Sequence, residues 1–390
     1  MTGRSVTLGS IAKITSGGTP ERSKPAYWNG TIPWVKTAQI QNCTISAECI
    51  DEWITEKGLE HSSARMVPKG AILMAMYGQG KTRGQVAILG LDAAINQACA
   101  AILLKPEANR DYVYQQLRFR YESIRALSNT GSQENLNAEL LREIAFPLPA
   151  LEVQKDVAEA LGAWDTAIQK TEQLIAAKER HYGYELARLI RRDQHPHGHV
   201  GAFAEEVSAR NRGGNEARIL SVTNSRGFVL PEDQFERRVA SADLSNYKVV
   251  RRGQYAYNPS RINVGSVARL DGWDDGVLSP MYVVFRLDKD RVDSDYFLHW
   301  LNSHEARQRI KNSAQGGVRE TVSFSEFAAI TIPLPDTNTQ TAVARYLNAL
   351  RQEIDLLGQS VTALKTQKRG LMQKLLTGQW CLPTIEETYE

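Results

Sequence analysis

Long hydrophobic runs are missing from this chain of 390 residues. No stretch approaches the ~20 apolar residues that a membrane-spanning helix needs. The opening MTGRSVTLGSIAKITSGG has no apolar leader core, so the expectation is a cytoplasmic protein with no membrane partner. Cysteine is scarce: Cys43, Cys49, Cys99 and Cys381 are scattered without C-x-x-C spacing. That pattern predicts free thiols and no metal site. A charge excess is also lacking. A net charge of +3 is too small to argue for a polyanionic partner by itself, so any nucleic-acid surface must concentrate its cations locally. No Ser/His/Asp or Cys/His arrangement stands out, and no catalytic residue is expected.

What is present is an ordinary globular composition, 42% hydrophobic and 23% charged, in a chain long enough for two or three domains. The chain also repeats itself. FPLPALEVQKDVAEALGAWDTAI (146–168) aligns with IPLPDTNTQTAVARYLNALRQEI (332–354), sharing Pro147/Pro333, Leu148/Leu334, Pro149/Pro335, Gln154/Gln340, Val157/Val343, Ala158/Ala344, Leu161/Leu347, Ala163/Ala349 and Ile168/Ile354. Upstream, DYVYQQL (111–117) matches DYFLHWL (295–301). Each copy begins with short apolar runs punctuated by Gly, Pro and Asn, the pattern of a compact α/β domain. A P-L-P element then stops that structure and a long helical pattern follows.

Helical spacing places Val343, Leu347, Leu350, Ile354, Leu357, Val361, Leu364, Leu371 and Leu375 on one seam, with Lys368 as its exception. The same register in the first copy gives Val157, Leu161, Trp164, Ile168, Thr171, Ile175, Lys178, Tyr182, Glu185 and Leu189. This weaker seam is better matched to its twin than to itself. The expected fold is therefore α/β: two globular domains separated by two long antiparallel helices that form an intramolecular coiled coil with pseudo-two-fold symmetry. The expected boundaries are 1–146 for the first domain, 147–192 for the first long helix and 193–200 for a linker. The second domain covers 201–332, the second helix 333–380 and a tail 381–390.

Three stretches imitate enzyme motifs. AMYGQGKT (75–82) fits a relaxed phosphate loop, which would make the chain a nucleotide-binding enzyme using Lys81. That mechanism needs a helix starting at Lys-Thr, whereas RGQVAIL follows, with Gly84 in the way and a strand-like run behind it. Anchored on Gly84/Gly265, AMYGQGKTRGQVAIL aligns with AYNPSRINVGSVARL (256–270), which keeps the frame and replaces Gly-Lys-Thr by Arg-Ile-Asn. YNPSR (257–261) lacks the second proline and the aromatic of an adenine-methylating motif, and reads as a turn. HPHGH, with His195, His197 and His199, falls where a solvated linker is expected and has no nearby cysteine to complete a metal site.

Polar loops at matching places in both copies mix Arg and Lys with Asn, Gln, Ser, Thr and Tyr, the side chains that grip base edges and phosphates. In the first domain the candidates are Lys36, Gln39, Tyr77, Gln79, Lys81, Thr82 and Arg83. In the second they are Asn211, Arg212, Asn224, Arg226, Asn258, Ser260, Arg261 and Asn263. TGSQENL (130–136) and QGGVRETV (315–322) read equally as phosphate contacts or as turns leading into helices.

LGSIAKITSGGTP, YWNGTIPWVKTAQI and PKGAILMAMYGQGKTRGQVAIL, with P-L-P, Q-x-x-V-A-x-x-L and LMQKLLTGQ (371–379), resemble the specificity subunits of type I restriction–modification enzymes. The resemblance implies two target-recognition domains, each reading one half of a bipartite site in double-stranded DNA. The paired helices would fix the spacer and dock two methyltransferase subunits. Those partners would carry S-adenosylmethionine and methylate adenine N6, and motor-nuclease subunits using ATP and Mg would join for restriction. The chain itself would bind no cofactor. Service to a different phage-defence methyltransferase, or a scaffold role without DNA contact, remain the alternatives.

Overall fold

The computed structural model describes residues 4–78, 80–127, 135–191, 195–214, 218–233, 243–314 and 321–382. The chain divides into two compact units, residues 1–171 with 360–390, and residues 172–359.

In the first unit, β1 (Arg4–Thr7) leads through one helical turn, α1 (Leu8–Ile11), into β2 (Ala12–Ser16). There follow β3 (Trp28–Val35), β4 (Thr44–Ile45), β5 (Trp53–Ile54), α2 (Glu56–Glu60) and β6 (Arg65–Val67). The strands β7 (Ile72–Ala75), β8 (Val86–Leu89), β9 (Ala93–Ile95) and β10 (Cys99–Leu104) come next. Helices α3 (Arg110–Phe119), α4 (Tyr121–Ala126) and α5 (Ala138–Glu143) then precede β11 (Ala145–Leu148) and the long α6 (Leu151–Leu189). The main sheet has the order β2-β10-β7-β8-β4, a second sheet the order β5-β3-β9-β6, and β1 pairs with β11.

Alternation explains why β7 reads as an unbroken apolar run. Ile72 and Met74 face a core shared with Val113, Leu117 and Leu141 of the helices. Leu73 and Ala75 face the second core, with Val35, Val67 and Ile95 of the other sheet. A strand buried on both faces has no polar side.

The second unit repeats the plan with β12 (His197–His199), β13 (Ala204–Glu206), β14 (Ser221–Thr223), β15 (Gly227–Val229), β16 (Lys248–Arg251) and β17 (Tyr255–Tyr257). It continues through β18 (Val267–Arg269), β19 (Asp275–Leu278), β20 (Val283–Leu287), α7 (Ser294–Asn302), α8 (His304–Ala314), α9 (Phe324–Ala328), β21 (Thr331–Pro333) and the long α10 (Thr337–Leu376). The sheet β13-β20-β17-β18 matches β2-β10-β7-β8, and β12-β21 matches β1-β11. Tyr255 and Tyr257 face the helices, and Ala256 faces β14 and β15.

The shared residues of the repeat tie each globular part to its long helix. Tyr112 donates its hydroxyl hydrogen to the Pro147 carbonyl at 2.9 Å, as Tyr296 does to Pro333 at 3.0 Å. Gln154 accepts from the Asn109 amide and donates to the Glu107 and Pro149 carbonyls. Gln340 does the same with Asp293, Arg291 and Pro335.

Helix pairing is antiparallel within each unit. In the first, Val157 and Leu161 at the start of α6 pack with Met372, Leu375 and Leu376 at the end of α10. In the second, Tyr182, Leu186 and Ile190 at the end of α6 share a core with Val343, Leu347 and Ile354 at the start of α10. Every residue assigned to the two seams is buried or half-buried, Trp164, Ile168, Ile175, Leu350, Leu357 and Val361 included. Helix α6 runs unbroken through Gly162.

Three expectations need revision. The segment 193–200 is not all linker: His197–His199 is strand β12, with His197 opposite Pro333. The second domain therefore starts before residue 201. His195 and His199 each place a ring nitrogen on a backbone carbonyl, of Leu189 and Ala329 respectively. P-L-P does not stop the structure either. Pro147 and Pro333 lie within β11 and β21, each in a two-stranded pair where a missing N–H is tolerated. Finally, Met74 pairs with Val86 and Tyr257 with Val267, so the ungapped alignment of the two hairpins slips on its first strand. The second turn is the shorter.

Candidate nucleic-acid interface

β7 and β8 form an antiparallel hairpin, closed where the Gly84 amide donates to the Ala75 carbonyl at 2.8 Å. The turn uses Gly78, Gly80 and Gly84 at φ 136°, 63° and 85°, conformations that L side chains rarely adopt. Strand β8, not a helix, follows Lys81-Thr82. The helix N-terminus on which a phosphate loop depends is therefore missing here, and the nucleotide-enzyme reading of Lys81 fails on geometry. Tyr77 and Lys81 are exposed, and Thr82 and Arg83 half-buried. Gln79 lies outside the described residues.

Lys36 and Gln39 belong to a different loop, anchored to β8 by the Ile88 amide on the Cys43 carbonyl at 2.9 Å. The Lys36 ammonium is held by Glu52 at 2.8 Å and Asp51 at 3.0 Å, and the Glu52 hydrogen bond raises its pKa. Gln39 accepts from the Lys36 amide and donates to Asp51. Arg22 reaches Glu52 at 2.7 Å and stacks 4.0 Å from the Trp28 ring. The Lys36 ammonium and the Gln39 amide are thus engaged in bracing this loop.

In the second unit two turns are neighbours. β14 and β15 present Asn224, Ser225 and Arg226, all exposed, and the Thr223 hydroxyl accepts from the Arg226 amide. The β17–β18 turn starts at Asn258, which is buried and caps the Ser260 amide through its Oδ1 at 3.0 Å. Ser260 and Arg261 are exposed, Asn263 half-buried, and Gly265 stands at φ 93°. The buried Ser266 hydroxyl donates to the Val222 carbonyl at 2.8 Å and joins the hairpins. A Cβ on Gly265 would lie 3.8 Å from that of Asn224. The structure thus groups Asn224 and Arg226 with Ser260, Arg261 and Asn263, while Asn258 supports their turn. Asn211 is buried on a separate loop, its amide on the Tyr247 carbonyl, and Arg212 beside it is exposed.

Sequence reasoning missed Tyr121 and Arg125 of α4, which back the first turn. Nothing in their spacing marks them. Of the two loops ahead of α5 and α9, only Leu136 and its flank, and residues 321–322, lie among the described residues. Leu136 and Val322 are fully buried and donate their amides to Met76 and Pro259 at the matching hairpins, each at 3.1 Å. Among the described residues no cluster of His, Cys, Asp and Glu could hold a metal ion, and no helix is long and apolar enough to cross a membrane.

Residues 4–179 and 256–366 match the family described as the type I restriction modification DNA specificity domain. The chain belongs to that family. It is 28% identical over 188 residues to the EcoR124I/EcoR124II specificity subunit of Escherichia coli, a match covering 46% of each chain. It is also 28% identical over 162 residues to the MjaIX specificity subunit of Methanocaldococcus jannaschii, covering 41% of this chain and 37% of that one. The chain thus spans less than half the length of these two relatives. The type I S subunit from M. genitalium has a similar fold, with TM-score 0.59 at 15% identity over 96% of both chains.

Proposed function

We propose that this chain is the non-catalytic, sequence-specific DNA-recognition subunit of a type I restriction–modification complex, with one unit reading each half of a bipartite site. The observation that carries this reading is the contrast within the repeat. Shared residues such as Tyr112/Tyr296 and Gln154/Gln340 build the scaffold, while the hairpin tips at the same place in each unit differ in chemistry. A duplicated frame with divergent polar tips suits two readers of different sequences.

In this reading Tyr77, Gln79, Lys81, Thr82 and Arg83 serve the first half-site. Asn224, Arg226, Ser260, Arg261 and Asn263 serve the second, with Arg212 as an outlying phosphate contact. Arg and Lys supply guanine and phosphate contacts, and Asn and Gln suit adenine. Lys36, Gln39, Asn211 and Asn258 act from behind as supports. Two methyltransferase subunits, supplied with S-adenosylmethionine, and motor-nuclease subunits using ATP and Mg complete the assembly, which works in the cytoplasm.

Replacing residues 1–145 by the equivalent domain of a relative tests the assignment. Mapping of methylated adenines is expected to show one half of the site changed and the other kept. A change in both halves, or in neither, rejects it.

A further inference from the structure

The two recognition turns are held differently. In the second unit the turn is braced from within and by its neighbours: Asn258 Oδ1 accepts from Ser260, the Arg261 carbonyl accepts from Ser266 at 3.0 Å, Ser266 Oγ reaches the neighbouring hairpin, and the Pro259 carbonyl accepts from Val322. The first turn carries three glycines at positive φ, residues that lose the most conformational freedom when ordered. Beyond the Gln85 amide on the Thr82 carbonyl and the closing Gly84–Ala75 bond, its tip is held by a helix. Tyr121 on α4 donates its hydroxyl hydrogen to the Lys81 carbonyl at 2.6 Å. Arg125, one helical turn on, donates from Nη1 to that same hydroxyl at 2.6 Å and lies 5.3 Å from the ring. A Cβ on Gly84 would stand 3.1 Å from Arg125 Cγ, so the glycine leaves room for this brace.

We propose that Tyr121 is the positioning residue of the first recognition turn, its hydrogen bond to the Lys81 carbonyl fixing where Tyr77, Lys81 and Thr82 meet the first half-site. The proposal rests on the DNA-reading assignment above. The hydroxyl touches the turn's backbone and not its exposed side-chain tips. Its loss therefore lets the tips wander without removing any of them, and bases in the first half-site are read less sharply. The second half-site, served by a turn that does not depend on α4, keeps its discrimination.

The test uses the full chain assembled with its methyltransferase partner. Methylation rates are measured on duplexes carrying each single-base change in either half-site, for the wild type and Tyr121→Phe. One neutral hydrogen bond on a solvent-accessible turn corresponds to about a fivefold effect. The expected result is a fall of about fivefold in discrimination across the first half-site, with the second unchanged. Hydrogen exchange of the same variant is expected to quicken at the Gly84 and Gln85 amides while β10 stays protected, which separates a loosened turn from a destabilised unit. Unchanged discrimination, or an equal loss in both half-sites, overturns the proposal. A wild-type complex with no two-part site overturns the DNA-reading assignment and this proposal with it.

Discussion

Lys368 Nζ lies 2.6 Å from Asp165 Oδ1, joining the only charged residue of the α10 seam to α6. Gln115 and Arg118 of α3 converge on the same carboxylate, at 2.7 and 2.9 Å. The matching place in the second unit holds different chemistry. There Tyr182 bonds His299 Nδ1 at 2.9 Å and lies under the Arg351 guanidinium, 4.3 Å from the ring.

Breaking the Lys368 pair leaves a buried charge. Asp165→Asn removes the anion from a lysine that is 4% exposed. Breaking such a pair costs about 3 kcal/mol or more when fully buried. With the Asp165 side chain 33% exposed, about 2 kcal/mol is expected in denaturant titration.

The same lysine gives a pH dependence. Burial, followed by the neighbouring Arg118, lowers its pKa from 10.5 to about 8. Between those values the unfolded chain binds more protons than the native one, so this contribution to stability rises with pH. The melting-temperature difference between wild type and Lys368→Met should therefore shift in favour of the wild type from pH 8 to 10. A flat difference rules this out.

Gln154→Ala removes three hydrogen bonds at the base of α6 and leaves the half-buried Asn109 amide without its acceptor. The expected loss is about 2–3 kcal/mol. Hydrogen exchange should quicken at the start of α3 and leave α7, which Gln340 holds, as it was.

Two glycines should behave oppositely. Gly162 has open space where a Cβ would go, so Gly162→Ala should stabilise helix α6 by about 1 kcal/mol. At Gly17 a Cβ would sit 1.8 Å from the Ile95 carbonyl oxygen. Gly17→Ala is therefore expected to lower the melting temperature sharply or to yield insoluble protein.

On DNA, Arg261→Ala should weaken binding by about 1–3 kcal/mol and relax one position of the second half-site if the guanidinium reads a base. A uniform loss across sequences, with a shallower salt dependence, would identify it as a phosphate contact. Lys81→Ala should leave the chain's affinity for ATP unchanged, because strand β8 and not a helix follows Lys81-Thr82.

The sequence by itself determined the duplication, the two long helices and their seams, the strand character of GAILMAM and the failure of the phosphate loop. These are local signals: a period of residues, a glycine inside a would-be helix, an apolar run. Only the tertiary structure decided that Lys36 is tied to Asp51 and Glu52, that Lys368 finds Asp165, that His197–His199 is a strand, and that Asn224 stands beside Gly265. Each of these depends on partners distant in sequence, and periodicity carries no information about which distant charge or strand edge a residue will meet.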